Sequence, residues 1–291
     1  MNCKKPNLFI LGAPKCGTTS LAHYLNQHPN AGMCKYKEPC YFASEFKRSH
    51  KASNLAEYKS LYTDEVLSKD IVFEATTRYL MSSKAVDRIL QFNSDAKFIC
   101  MVRNPYEMIP SWHDQLLFNG LQNMNIDRAL SKAEKLNKSL EKEEYSNSKM
   151  IYDYLYVASN GAHSARLLRK IKPEKLKFII FDEFISNTHK VFKEICDFLG
   201  IKMASINFDK KNSRKYNRFP KFKNFVTFIS KLVRRLGIKN TGISKKIIEK
   251  QIVENKKKRE INFSSYAINV LNNDIDLLQN CTKKDLSEWK K

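Results

Sequence analysis

Short runs of consecutive apolar residues alternate along this chain with stretches in which apolar residues recur every three or four positions. The run Leu8-Phe9-Ile10-Leu11, ended by Gly12, comes first. Unbroken apolar runs of this length suit strands buried on both faces of a parallel sheet. Leu21, Tyr24 and Leu25 then fall at helical spacing, which predicts a helix from near Thr18 to near His28-Pro29, where the proline stops it. Residues 71–73, leading into Glu74, read as a second strand, and 85–92 as a helix. A third strand covers 97–102, and Pro105 opens the next helix at a position where its missing N–H costs little. A fourth strand covers 176–181, and a helix over 188–199 is closed by Gly200. This alternation predicts an α/β fold with a central parallel sheet flanked by helices.

Residues 125–149 are charged, lack an evident apolar stripe and read as an exposed helix or insertion. Residues 210–223 are basic and aromatic without periodicity and read as a loop, whereas 222–236 and 265–279 look helical. Repeats, low-complexity tracts and linkers are absent, so 1–291 is expected to be a single domain.

Composition narrows the class. Hydrophobic residues make up 42% and charged residues 28%, as in ordinary globular proteins. No apolar stretch reaches the roughly 20 residues of a membrane span. The run at 8–11 is too short for a signal-peptide core, so the expectation is a cytoplasmic protein, or a catalytic domain supplied without its leader. The seven cysteines are odd in number and form no C-x-x-C pair, which points away from a disulfide framework or a zinc site. Cys34 and Cys40 are the pair that could join. Cys100 and Cys196 lie in core patterns.

The formal net charge of +22 calls for polyanionic company: nucleic acid, anionic lipid, an acidic glycan or a phosphate-rich cofactor. The charge concentrates in 210–260, a basic loop and helical region with 18 Lys and Arg against three Glu. A solvated lysine-rich face would look the same.

The chemistry begins at Gly12-Ala13-Pro14-Lys15-Cys16-Gly17-Thr18-Thr19-Ser20. Two glycines bracket four residues between a strand and a helix. Such a turn can aim backbone N–H groups and a helix N-terminus at a phosphate. The nucleoside-triphosphate loop G-x-x-x-x-G-K-[ST] would place its lysine at 18, where this chain has Thr18; here the cation is Lys15, inside the loop. After the third strand, Arg103 stands at the sheet edge where open α/β folds bind ligands, with Ser111 eight residues on. Arg gives a forked, permanently charged phosphate clamp and Ser a hydroxyl donor. Pro110 is expected to kink the helix just before Ser111.

At these residues the chain resembles the sulfotransferase family that uses 3′-phosphoadenosine-5′-phosphosulfate (PAPS), in motif style the bacterial and glycan branch. The stretch from Pro14 to Leu21 is similar to that family's 5′-phosphosulfate loop. The resemblance implies a P-loop-like fold without a metal, with Lys15, Cys16, Gly17, Thr18, Thr19 and Ser20 around the phosphosulfate. Arg103 and Ser111 match the 3′-phosphate motif, and Arg214 or Lys215 a late basic loop over the nucleotide. Lys37-Glu38-Pro39-Cys40-Tyr41-Phe42 resembles the Lys-Glu-x-x-Phe-Phe-like segment of heparan-sulfate enzymes. That implies Glu38 as the base that takes the acceptor's proton and Lys37 as a neighbouring cation. Pro39 is expected to hold Glu38 extended. Glu74 and His113 are the alternative bases or acceptor contacts. The implied reaction is sulfuryl transfer to a hydroxyl or amine, leaving 3′-phosphoadenosine-5′-phosphate (PAP), with an anionic glycan as the favoured acceptor. A P-loop kinase or nucleotidase and a basic nucleic-acid-binding protein stay open as alternatives, although no recognised nucleic-acid motif is present.

Overall fold

The computed structural model describes residues 4–43, 45–46, 52–139, 150–209 and 261–291, together with the backbone of 215–217 and 252–254. Five strands form one parallel sheet: β1 (Leu8–Gly12), β2 (Ala31–Met33), β3 (Ile71–Ala75), β4 (Lys97–Val102) and β5 (Leu176–Ile180). Their spatial order is β2-β3-β1-β4-β5. Every residue of β1 and β3 is buried, as the unbroken apolar run at 8–11 demanded. The chain leaves β4 toward β5 on one side of the sheet and leaves β1 toward β2 on the other, so the strand order reverses beside β1. The crevice at its carboxyl end is the place where such sheets bind ligands.

The helices are α1 (Thr18–Leu25), α2 (Leu55–Lys59), α3 (Asp64–Ser68), α4 (Arg78–Met81), α5 (Ala85–Phe92), α6 (Pro105–Asn119), α7 (Ile126–Ser139), α8 (Tyr154–Ala158), α9 (Asn160–Leu168), α10 (Phe181–Ser186), α11 (Thr188–Leu199) and α12 (Ser265–Thr282). Pro105 opens α6, and Asn104 caps it by accepting the Tyr106 N–H at 2.9 Å. Gly200, at φ 79°, closes α11 as expected.

Several sequence expectations need correction. The strand β2 carried no signal: it is three residues long and centred on Gly32. Glu74 therefore lies inside the third strand, not after the second. Helix α1 stops at Leu25, before Pro29 is reached. The Gln27 and His28 N–H groups tighten into three-residue turns on Tyr24 and Leu25, and the Asn26 side chain accepts the Met33 N–H at 2.9 Å, turning the chain into β2. Residues 125–149 do contain an apolar stripe: Ile126, Ala129, Leu130 and Ala133 are buried along α7. Two alanines kept that stripe inconspicuous. Within the stretch read as a loop, Lys215–Asn217 forms a strand, β6, paired antiparallel with β7 (Ile252–Glu254). Residues 140–149 and the helix expected over 222–236 lie outside the described residues.

At the C-terminus, α12 packs on α9 so closely that a side chain at Gly161 would collide with the Asp274 backbone. The Asp274 carboxylate caps α9 by accepting the Gly161 and Ala162 N–H groups, each at 2.8 Å. No described helix is long and apolar enough to cross a membrane.

Candidate active site

The loop from Gly12 to Gly17 sits over the carboxyl end of β1. Gly12 has φ 143°, and a Cβ there would stand 2.8 Å from the Thr77 carbonyl oxygen. Gly17 has φ 83°, and a Cβ there would stand 3.0 Å from the Phe181 ring. Both positions need glycine for conformation and for space. Lys15 itself takes a left-handed φ of 63°, and the Ala13 N–H is anchored to the Met101 carbonyl on β4 at 2.6 Å. Gly17 is the N-cap of α1 and offers no side-chain oxygen to its first-turn N–H groups. The helix start is thus suited to an anion.

The loop side chains sort by direction. Lys15 donates from Nζ to Gln115 Oε1 at 3.0 Å. Cys16 points into the core with its thiol on the Pro14 carbonyl, and burial pushes its pKa up to about 12, so only its backbone is available to a ligand. Thr18 is buried, Thr19 exposed and Ser20 half-buried.

Arg103, just past β4, reaches the loop from the other side. Its NH1 donates to the Lys15 carbonyl at 3.3 Å, its NH2 to Glu107 at 2.8 Å, and its guanidinium lies 4.5 Å from the centre of the Phe181 ring. Its Nε is buried and finds no hydrogen-bond partner among the described residues, a donor left over for a bound group. Ser111 is buried on α6 two turns further on, and α6 runs as one element through Pro110. Ser111 and Gln115 are one turn apart on α6, so Arg103, Ser111 and the Lys15 partner Gln115 share one helix and its entry.

Glu38 lies in the turn beyond β2. It is not extended: its φ is 60°, and Cys40 on the other side of Pro39 has φ 61°. Tertiary bonds override the proline preference, for the Glu38 N–H donates to the Ala75 carbonyl at 2.9 Å. Its carboxylate is 30% exposed and gathers Lys37 Nζ at 3.2 Å, the Thr77 hydroxyl at 3.1 Å and Arg78 NH1 at 3.4 Å. Glu74, in contrast, is 0% exposed. It accepts the hydroxyls of Tyr58 at 2.9 Å, Tyr79 at 3.1 Å and Thr76 at 3.3 Å. Burial drives its pKa up to about 8, and those hydroxyl bonds only partly oppose this. His113 is also buried, with Nδ1 2.9 Å from the Tyr154 hydroxyl.

The stretch that precedes the late basic segment runs along α1. The Tyr24 hydroxyl of α1 donates to the Phe208 carbonyl at 3.2 Å, and Gln27 and Asn207 bond each other reciprocally at 3.1 Å. His28, nearer the helix end, bonds the Lys202 carbonyl at 2.8 Å. Residues 202–209 thus run antiparallel to α1, in the direction of its start. The strand beginning at Lys215 lies against α6. Arg214 lies outside the described residues.

Gln115 had not been singled out in the sequence, nor had the pairing of Thr77 and Arg78 with Glu38. Gln115 carried a usable signal, being four residues after Ser111 on a helix. The pairing of Thr77 and Arg78 with Glu38 had none, since it depends on how two separate loops meet. A cleft of about 280 Å³ at the opposite end of the sheet, lined by Asn7, Asp70, Asp95 and Lys97, has no phosphate loop and is remote from this constellation.

Comparison with known proteins agrees with this layout. A family model described as a sulfotransferase domain matches residues 5–259. The chain is 33% identical over 112 residues to heparan sulfate glucosamine 3-O-sulfotransferase 6 of Homo sapiens, covering 38% of this chain and 31% of that protein. It is 25% identical over 197 residues to heparan sulfate glucosamine 3-O-sulfotransferase 3B1 of Mus musculus, covering 68% of this chain and 46% of that one. With the membrane-associated sulfotransferase kil1 of Dictyostelium discoideum it shares 31% identity over 104 residues, 35% of this chain and 21% of that protein. The chain thus spans less than half the length of these curated relatives. The solved sulfotransferase from Alicyclobacillus acidocaldarius superposes with a TM-score of 0.68 at 22% identity, over 99% of both chains, and shares the fold. With a phosphate loop, a strand-end arginine and a family match over most of its length, the chain belongs to the sulfotransferase family.

Proposed function

We propose that this sulfotransferase moves the sulfuryl group of PAPS onto a hydroxyl or amine of a glycan acceptor, with Glu38 as the base. The observation that carries the reading is the convergence of Lys15, Arg103 and Glu38 at one end of the sheet, on three separate loops. The residues fit the donor on two counts: α1 starts at a glycine with no side-chain cap on its first-turn N–H groups, and the buried Arg103 Nε has a hydrogen still to give. The donor supplies a sulfuryl group bonded through a bridging oxygen to phosphate.

The loop N–H groups and the start of α1 would hold the 5′-phosphosulfate, and Arg103 with Ser111 the 3′-phosphate. Arg214 or Lys215 would cover the nucleotide. Lys15 would stabilise the charge left on the phosphate of PAP when the sulfuryl group departs and the electron pair of the broken bond stays on the bridging oxygen. The acceptor oxygen or nitrogen forms the new bond to sulfur and gives its proton to Glu38. Glu38 suits this task better than Glu74, because it is open to solvent and held by Lys37, Thr77 and Arg78, whereas Glu74 is sealed in the core. His113, buried beside Tyr154, suits packing behind the donor site. The cations Lys37 and Arg78 beside the base, and the net charge of +22, favour an anionic glycan. The heparan-sulfate relatives add weight to that choice.

Calorimetry with PAP tests the donor site. Without metal, the protein binds PAP, and Lys15→Ala or Arg103→Ala weakens binding by about 10- to 100-fold, the worth of one or two charge-assisted bonds. Unchanged affinity in both variants rejects the site. A screen of acceptors with labelled PAPS then identifies the acceptor, on which Glu38→Gln keeps PAP affinity and loses transfer.

A further inference from the structure

The turn that carries Glu38 is an unlikely shape for its sequence. Glu38 and Cys40 both hold left-handed φ values, of 60° and 61°, on either side of a proline. For residues with a Cβ that conformation costs roughly 1 kcal/mol or more each, so the turn persists only where its surroundings hold it. Three backbone N–H groups of the turn do the holding, and their acceptors lie between the end of β3 and the start of α4. The Glu38 N–H meets the Ala75 carbonyl at 2.9 Å, the Cys40 N–H meets Thr76 Oγ1 at 3.4 Å, and the Phe42 N–H meets the Tyr79 hydroxyl at 3.2 Å.

The last two acceptors are hydroxyls, which can point either way. What directs them is Glu74. Tyr79 donates its proton to Glu74 Oε1, so its lone pairs face the Phe42 N–H; Thr76 Oγ1 pairs with Oε2, donating to the carboxylate or accepting from the carboxylic acid, and in either case keeps a lone pair for the Cys40 N–H. Tyr58 donates to the same Oε1 and stacks on Tyr41 of the turn with ring centres 4.7 Å apart. An oxygen at the Oε1 position accepts both phenols whether the side chain is a carboxylate, a carboxylic acid or an amide.

We infer that Glu74 is a positioning residue: through Tyr79 and Thr76 it holds the turn that presents Glu38, and it takes no proton from the acceptor. This rests on the reading of Glu38 as the base. It separates two roles that a pair of glutamates at one site would otherwise blur. A base loses its function as glutamine; a buried hydrogen-bond acceptor keeps it.

The experiment compares Glu38→Gln, Glu74→Gln, Glu74→Leu, Thr76→Val, Thr76→Ser and Tyr79→Phe. The readouts are kcat and KM on the acceptor found by the screen, PAP affinity, and amide hydrogen exchange at Cys40 and Phe42. In Tyr79→Phe and Thr76→Val, kcat should fall about five- to tenfold, the worth of a buried hydrogen bond. PAP affinity should stay within about twofold, because the phosphate loop does not use these bonds. Exchange at the corresponding amide should quicken about tenfold while the β1 and β4 amides hold. Thr76→Ser and Glu74→Gln should remain near the wild type, and Glu74→Leu should resemble the hydroxyl-free variants. The inference is overturned if Glu74→Gln loses transfer as Glu38→Gln does. It is equally overturned if Tyr79→Phe and Thr76→Val leave exchange at Cys40 and Phe42 unchanged. Should Glu74→Leu fail to fold, those two variants still decide. Full transfer by Glu38→Gln overturns the base reading itself, and the exchange data separate that failure from failure of the turn's support.

Discussion

Glu74 also makes a quantitative claim about stability. Its carboxyl is buried against Tyr58, Tyr79 and Thr76, and its pKa rises from an ordinary 4.5 to about 8. Burial is the cause, because desolvation penalises the charged form. The sign follows from proton counting. Between pH 4.5 and about 8 the folded protein keeps this proton while the unfolded chain has lost it, so stability falls as pH rises through that window. Below it both states are protonated, and above it both are ionised. At about 1.4 kcal/mol per pH unit, full expression of the shift corresponds to roughly 4–5 kcal/mol, an upper figure for a group that hydroxyls can still solvate. Glu74→Gln removes the titration and keeps the shape. Urea denaturation of both proteins from pH 4.5 to 8.5 measures the effect. Other titrations, including Asp274 with its pKa raised by burial to about 6, occur in both proteins and cancel in the difference. The expected result is that wild type loses about 2–5 kcal/mol more than Glu74→Gln across the window. Parallel pH profiles would refute the reasoning, since they would mean that Glu74 ionises in the folded protein as easily as in the unfolded chain.

Two further outcomes follow from close contacts. In Gly17→Ala the new methyl would meet the Phe181 ring at 3.0 Å from a backbone at φ 83°, and that ring also supports the Arg103 guanidinium at 4.5 Å. The variant should lose roughly 1–2 kcal/mol of stability and bind PAP at least about tenfold more weakly in calorimetry; wild-type affinity would mean that the ring yields without moving Arg103. In Asp274→Ala, α9 loses the carboxylate that accepts the Gly161 and Ala162 N–H groups at 2.8 Å. Urea denaturation should show a loss of about 2 kcal/mol, and a loss below about 0.5 kcal/mol would show that water replaces the cap.

What could be read in the sequence, and what could not, divides by the range of the interactions involved. The buried strands at 8–11 and 97–102 announced themselves because a two-sided parallel strand has no polar face to interrupt its apolar run. The phosphate loop was legible because its requirements are local: two glycines where a Cβ would collide, a strand before and a helix after. Lys15 and Arg103 were legible for the same reason, as each belongs to a loop whose geometry its own neighbours set. The turn at Glu38 was not. Local preference puts a residue before proline in extended conformation, and the sequence reading followed that preference. The fold reverses it with bonds from residues 35 to 40 positions away in the chain, Ala75, Thr76, Thr77 and Arg78. The same long-range meeting distinguishes the two glutamates. In sequence Glu38 stands between Lys37 and Pro39 and Glu74 between Phe73 and Ala75, and neither setting tells what meets the carboxylate across the fold. Glu74 occupies a strand position whose alternatives would be aliphatic, and it is tolerated there because three hydroxyls from two segments converge on it. A buried polar group that is fully bonded fixes the direction of every hydroxyl it touches, and here those hydroxyls reach the turn beneath the candidate base. The candidate site is therefore legible at the glycine loop and illegible at Glu38, because the loop needs only a local backbone shape, whereas the setting of Glu38 needs two distant loops to meet.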